Sequence, residues 1–93
     1  MTELTAYLNV QVIYLNDKIR ELSLKYGTEG SACADVCADI SEPVTLQPGE
    51  FRLIGTGFRL NIQNRQIVAK VYPRSGLGSK GIILRNTVGI IDS

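Results

Sequence analysis

Apolar and polar residues alternate along several short stretches of this 93-residue chain, and turn-forming residues separate the stretches. Residues 8–15 alternate with period two, which predicts a first strand with one buried face. Short apolar runs then recur between turn signals, at residues 34–40, 44–46, 51–56, 57–62 and 66–72. Runs of this length and spacing are typical of an all-β sandwich or barrel.

Residues 16–26 fit two interpretations. Apolar residues recur there at helical spacing behind a polar cap, Asn16 or Asp17, and Gly27 would end the helix. Residues 23–26 also alternate as a strand does. Both interpretations remain open at this point.

Two turns between the later runs are predicted from their residue types. Pro48-Gly49 fits a type II turn, since that turn needs a positive φ at its third residue. Residues 63–65 offer a hairpin turn between the runs on either side. No linker or repeat interrupts the pattern, so residues 1–93 are predicted to form a single domain.

Composition narrows the classes of partner. Ten basic and nine acidic residues give a net charge of +1, which argues against a broad surface for nucleic acid or anionic membrane. No apolar stretch reaches the roughly 20 residues that span a bilayer, and Met1-Thr2-Glu3 does not begin a secretory signal. We therefore expect an intracellular, cytoplasmic protein, or one in the host cell if the source is viral, that contacts neither membrane nor nucleic acid directly.

The chain has two cysteines and no histidine. Cys33 and Cys37 lack the partners of a structural zinc site, and both are predicted to be small buried thiols. Without histidine, Ser-His-Asp and Cys-His nucleophilic chemistry is excluded. A general base would have to be a carboxylate, with lysine or tyrosine as weaker candidates.

Residues 73–82 are rich in glycine and could bind an oligophosphate. Glycines at three positions allow the backbone N–H groups to approach a ligand, and Ser75 adds a hydroxyl donor. Arg74 and Lys80 would neutralise phosphate charge. A glycine-rich β-connection with two solvated cations explains the same residues equally well, because such loops are common.

Three further polar residues are candidates for chemistry. Asp92 follows the apolar run 88–91 and would lie at the end of a strand, although it could be a turn aspartate. Asn86 could match the edge of a base such as uracil, or simply occupy a turn. Asp35 lies among small residues and is either an acceptor for backbone amides or part of a metal or water site.

These segments resemble the motifs of the trimeric deoxyuridine triphosphate nucleotidohydrolases (dUTPases). Residues 31–36 look like the first motif, with Cys33 where glycine is usual, and residues 73–82 look like the second motif almost throughout. Residues 86–92 lead into the third motif. The resemblance covers about residues 10–93 and implies a jelly-roll β-domain.

The resemblance also implies hydrolysis of dUTP to dUMP and pyrophosphate, and it assigns roles to residues. Arg74, Ser75 and Gly76 would bind phosphates. Asn86 would meet the uracil, with the backbone of Ile90 and Ile91 beside it.

Two carboxylates complete the implied site. Asp92 would orient and deprotonate the attacking water. Asp35 would hold a water of a bound Mg²⁺ ion. Members of the family usually form homotrimers, so self-association is expected.

The chain ends at Ser93, inside the third motif, so we expect an N-terminal portion of the family's domain that lacks its later motifs. Three functions remain open: a dUTPase whose activity in this form is in question, a non-catalytic nucleotide-binding or regulatory module, and, ranked lowest, an enzyme similar to the dCTP deaminases.

Overall fold

The computed structural model describes residues 8–93 of the chain; Met1-Thr2-Glu3, from which no secretory signal is predicted, lies outside them. The strands are β1 (Gln11–Tyr14), β2 (Phe58–Asn61), β3 (Ala69–Val71) and β4 (Gly89–Ile91), and the helices are α1 (Asp17–Leu22) and α2 (Ser75–Ser79). β1 pairs with β2 and β3 pairs with β4. The predicted all-β class is confirmed, because the four strands form two sheets and each helix has only one or two turns.

Helix α1 begins where the polar cap was expected. The Asn16 side chain accepts a hydrogen bond from the Ile19 N–H at 2.9 Å, and Asp17 places a negative charge in the first turn. The helix ends when the Ser23 N–H donates to the Ile19 carbonyl at 2.9 Å. Each interpretation of residues 16–26 is therefore correct for part of the segment. Helix α1 ends at Leu22, and Lys25 then forms an isolated antiparallel β-bridge with Asp35.

Two compact units can be distinguished, and the single-domain assignment of residues 1–93 stays a prediction. In the unit Val12–Arg59, Ile19 and Ser23 are fully buried. The Asn16 side chain donates to Asp39 Oδ2 at 3.0 Å, and Lys18 Nζ lies 3.4 Å from Asp39 Oδ1. This polar network fixes helix α1 to the segment that contains Asp39.

The Pro48-Gly49 turn is confirmed, since the Glu50 N–H donates to the Gln47 carbonyl at 2.9 Å and Gly49 has a φ of +80°. The strands expected from the apolar runs 34–40, 44–46 and 51–56 are wrong. That part of the described chain forms one isolated bridge, at Asp35. Alternation indicates which face of a segment is buried, but a strand also needs a neighbouring backbone that pairs residue by residue.

Of the described residues, the second unit contains 8–11 and 60–93. The expected turn forms at Asn64, whose side-chain oxygen accepts from the Gln66 N–H at 2.8 Å and whose carbonyl accepts from the Ile67 N–H at 3.1 Å. The prediction that the runs on either side of this turn pair as a hairpin is wrong, because β2 pairs with β1 and β3 pairs with β4. The turn residues determine the reversal of the chain, whereas strand partners depend on the rest of the fold.

Few side chains are buried. The buried apolar residues of residues 8–93 are Ile19 and Ile62, and many other large apolar residues, such as Leu53 at 95% exposure, are exposed. The prediction of buried thiols is wrong for Cys33, which is exposed, while Cys37 is half-buried and its thiol donates to the Leu22 carbonyl at 3.3 Å. The thin core explains this difference, since small apolar residues become buried only where layers pack over them. Over residues 8–93, helices are too short and too polar to cross a bilayer.

Candidate functional site

The glycine-rich segment is a short helix rather than the expected loop. The backbone leaves β3, stays extended at Arg74, and then forms α2, with the Gly78 N–H donating to the Arg74 carbonyl at 2.8 Å. Gly81 has a φ of +92°, its N–H donates to the Gly78 carbonyl, and the Ile82 N–H donates to the Leu77 carbonyl. This bond pair is the Schellman arrangement, in which a left-handed glycine ends a helix. Gly81 is therefore required by the backbone.

Gly76 and Gly78 have no such structural requirement. Neither has a positive φ, and within residues 8–93 a Cβ at either position would meet nothing within 4 Å. A glycine inside a helix costs about 1 kcal/mol relative to alanine. Nothing in the described structure requires glycine at either position.

Charged and hydroxyl groups surround this backbone. The side chains of Arg74, Ser75 and Lys80 are exposed, and the first N–H groups of a helix have no carbonyl partner within it. A guanidinium, a hydroxyl and outward N–H groups form a donor set suited to phosphate oxygens.

Asn86 and Asp92 flank strand β4. The strand is antiparallel to β3, with Val71 opposite Gly89 and Ala69 opposite Ile91. A Cβ on Gly89 would lie 3.3 Å from the Val71 Cβ, so the close approach of the strands favours glycine. Asn86 therefore precedes one end of this ladder, and Asp92, which is exposed, follows the other.

The register determines which candidate residues come together. The end with Val71 and Gly89 leads to Arg74 along one strand and to Asn86 along the other. Asp92 is three residues beyond Gly89, about 10 Å along the strand direction. Arg74 and Asn86 thus follow from the same end of the ladder, and Asp92 follows from the opposite end.

Ile90 and Ile91 lie within β4 as expected. The side chain of Ile90 is 56% exposed, while that of Ile91 is half-buried. Among the described strands β4 pairs only with β3. Alternate N–H and C=O groups of such a strand point away from its neighbour and can bind a ligand.

Asp35 belongs to the unit Val12–Arg59 and is held by its backbone. Its N–H donates to the Lys25 carbonyl at 2.8 Å, and its carbonyl accepts from the Leu24 N–H at 2.6 Å. The residue is half-buried. Leu24 has a φ of +57°, a conformation that costs a non-glycine residue energy. The Asp35 backbone is thus held by two hydrogen bonds, one of them to the strained Leu24.

The Asp35 carboxylate and the Ser31 hydroxyl both lie close to Gly27. A Cβ on Gly27 would lie 3.9 Å from Asp35 Oδ2 and 3.9 Å from Ser31 Oγ. The hydroxyls of Thr28 and Ser31 are 2.9 Å apart. Within residues 8–93 there is no group of three or more His, Cys, Asp or Glu side chains that could hold a metal. Mg²⁺ usually keeps several waters and uses one or two carboxylates with substrate phosphates, so a single carboxylate such as that of Asp35 is compatible with it.

One residue of interest escaped the sequence analysis. Thr87 has a φ of +68°, and it lies between Asn86 and strand β4, which begins at Gly89. Nothing in the sequence signals it, because residues with positive φ are usually glycine, asparagine or aspartate.

The fold and these motif segments define a small β-protein with a candidate nucleotide site. A family model described as dUTPase matches residues 21–93. The chain belongs to the dUTPase family.

Named relatives agree with this assignment. The deoxyuridine 5'-triphosphate nucleotidohydrolase of Francisella philomiragia subsp. philomiragia is 48% identical over 87 residues, covering 92% of this chain and 59% of that protein. The protein of the same name from Hahella chejuensis is 54% identical over 69 residues, covering 73% of this chain and 45% of that protein. The chain thus spans about half the length of these relatives.

Proposed function

We propose that this chain contributes the phosphate-binding, base-binding and water-activating segments of an enzyme that hydrolyses dUTP to dUMP and pyrophosphate. One observation carries the proposal. In a chain of the dUTPase family, the second-motif segment and the third-motif segment are joined through one antiparallel ladder, β3 with β4. The names of the relatives give the substrate.

Phosphate binding is assigned to Arg74, Ser75 and Gly76. The guanidinium can bind two phosphate oxygens at once, and the Ser75 hydroxyl adds a neutral donor. Gly76 leaves the backbone uncovered, because a Cβ there would meet only open space within the described chain. Such fixed donors stabilise the charge that develops on the departing pyrophosphate.

Base recognition is assigned to Asn86 and to the backbone of Ile90 and Ile91. Asn86 offers a donor and an acceptor, which match the acceptor and donor at the edge of uracil. Cytosine presents a mismatched edge and would leave polar groups unpaired, a larger penalty than a lost apolar contact. Thymine would be excluded by lack of room for its methyl group.

Asp92 is the proposed general base. Its carboxylate takes a proton from a water molecule, whose oxygen attacks the α-phosphorus of dUTP. The bond from that phosphorus to the α,β-bridging oxygen breaks, and pyrophosphate leaves. No covalent intermediate is needed, so positioning and charge stabilisation account for the catalysis.

Asp35 is the proposed contact to Mg²⁺, through a bound water. When bound, the ion would neutralise triphosphate charge and orient the phosphates. The chain's own contribution is a carboxylate held in place by the backbone bonds to Leu24 and Lys25.

A homotrimer is the proposed assembly. Asp92 follows the end of the ladder opposite to the one that leads to Arg74 and Asn86. Self-association is proposed because the chain belongs to the dUTPase family, and it would allow two copies to supply these groups to one site.

Pyrophosphate release by the purified chain with Mg²⁺ tests the function, with dUTP compared against dTTP, dCTP and UTP. We expect turnover selective for dUTP, reduced about 10²–10⁴-fold in Asp92→Asn, the range expected for removal of a general base. Glu42→Gln is the matched control, since it neutralises an exposed carboxylate outside the motifs.

Two other outcomes separate the alternatives. Binding of dUTP without turnover would overturn the catalytic assignment and favour a nucleotide-binding module. A folded chain that neither turns over nor binds dUTP would overturn the proposal as a whole.

A further inference from the structure

The segment between Leu84 and Val88 contains two successive tight turns. The Thr87 N–H donates to the Leu84 carbonyl at 3.1 Å, which closes a four-residue turn. The Val88 N–H donates to the Asn86 carbonyl at 2.8 Å, which closes a three-residue turn around Thr87. A three-residue turn with a positive φ at its centre is rare and strained.

Thr87 is an unfavourable residue for this conformation. Its φ is +68°, and a branched β-carbon makes the left-handed region more costly than it is for other residues. Its side chain is exposed, so packing does not compensate for the strain. Glycine or asparagine would adopt the same backbone more easily. Stability of the fold alone therefore does not explain threonine here.

The preceding residue, Asn86, is of a type that would fit this conformation better than Thr87. Asparagine tolerates positive φ, yet Asn86 is not among the described residues that have one; the residue beside it is. Within residues 8–93 the Asn86 side chain makes no hydrogen bond. Neither the backbone conformation nor a local bond accounts for the amide, so it is available to a ligand.

The other end of the segment is also fixed. Strand β4 begins at Gly89, opposite Val71, where the close approach of the two strands favours glycine, since a Cβ would lie 3.3 Å from the Val71 Cβ. Only Thr87 and Val88 separate Asn86 from that point. The strained turn thus determines how the Asn86 amide is presented relative to the backbone of β4.

We propose that Thr87 is a positioning residue for base recognition: its left-handed conformation holds Asn86 against the start of β4, so that the amide and the strand backbone face one nucleobase. This inference rests on the proposed function. A strained conformation that persists without a packing benefit is characteristic of functional segments. The branched side chain restricts the turn to few alternatives, which lowers the ordering cost of binding.

The test measures dissociation constants of the chain for dUMP, dCMP and pyrophosphate by titration calorimetry, together with the melting temperature. In Thr87→Gly we expect dUMP binding to weaken about tenfold, the effect of ordering roughly one residue on binding. The preference for dUMP over dCMP should fall, while pyrophosphate affinity stays the same and the melting temperature does not fall.

Two further variants separate positioning from a structural effect. Thr87→Asn keeps a residue that tolerates positive φ and retains a β-carbon, so dUMP affinity should stay within about threefold of the unmodified chain. Thr45→Gly changes an exposed threonine that has no positive φ, and it should leave all three constants unchanged.

Failure of the inference and failure of the proposed function give different results. If Thr87→Gly binds dUMP as tightly and as selectively as the unmodified chain, the positioning role is wrong and the proposed function stands. If the unmodified chain binds neither dUMP nor pyrophosphate, the proposed function fails and the positioning role fails with it.

Discussion

Gly57 lies at the point where helix α1 and the Asp39 segment meet, and an alanine there tests the core of the unit Val12–Arg59. Gly57 is buried and has a φ of +72°. A Cβ on it would lie 2.6 Å from Ile19 Cγ1 and 2.8 Å from Asp39 Oδ2. Ile19 is fully buried, and Asp39 is bound by Asn16, so neither side chain can move away without loss.

The expected destabilisation of Gly57→Ala has two parts. A left-handed backbone costs a non-glycine residue roughly 1–2 kcal/mol. Forcing an extra carbon into a packed region costs roughly 1–3 kcal/mol. Together they lower the free energy of unfolding by about 2–5 kcal/mol, which corresponds to a fall in melting temperature of roughly 10 °C or more for a chain of this size.

Urea unfolding followed by circular dichroism measures this loss, and Gly55→Ala is the matched control. Gly55 is two residues away, has no positive φ, and a Cβ there would meet nothing within 4 Å among the described residues. The control should change stability by no more than about 1 kcal/mol. A Gly57→Ala chain as stable as the Gly55→Ala chain would refute the reasoning. Ile19→Ala should relieve part of the clash, so the double variant should lose less than the sum of the single variants.

Three further predictions concern the cap, the ladder and the phosphate site. Asn16→Ala should reduce the free energy of unfolding by about 1–2 kcal/mol, because it removes the helix cap and the bond to Asp39; thermal unfolding measures it, and Asn16→Ser should recover much of the cap. Gly89→Ala should destabilise the β3–β4 ladder, and adding Val71→Ala should not restore the loss, because alanine keeps the Cβ that lies 3.3 Å from the new carbon, as hydrogen exchange of the strand amides would reveal. Arg74→Lys should weaken pyrophosphate binding roughly tenfold, because lysine cannot bind two phosphate oxygens in a fork; an unchanged dissociation constant would contradict the assignment.

Local signals explain what the sequence predicted well. The cap at Asn16, the Gly49 turn and the turn at Asn64 each depend on one or two residues whose own chemistry determines the backbone. Strand β4 followed by Asp92 was predicted for a similar reason, since an apolar run ended in a carboxylate.

Long-range pairing explains what the sequence did not predict. The run 66–72 was expected to pair across the turn at Asn64, but β3 pairs with β4 instead. Alternation specifies which face of a strand is apolar and leaves its neighbour undefined. Helix α2 was not predicted either. Both of its glycines are poor helix formers, so the residue types of the segment indicate a loop.

The register of the β3–β4 ladder links the site to the proposed assembly. Because Val71 pairs with Gly89, the phosphate-binding segment and Asn86 both adjoin one end of the ladder. Asp92 follows the other end, where Ala69 pairs with Ile91. Asp92 directly follows Ile91, whose backbone is a proposed contact to the uracil, and it lies about 10 Å along the strand from Gly89. The three groups would therefore either lie along one bound nucleotide within a chain or be supplied by two copies. If copies share sites, a mixture of Arg74→Lys chains with Asp92→Asn chains should turn over dUTP faster than the sum of the two variants measured separately, whereas turnover equal to that sum would place the whole site in one copy.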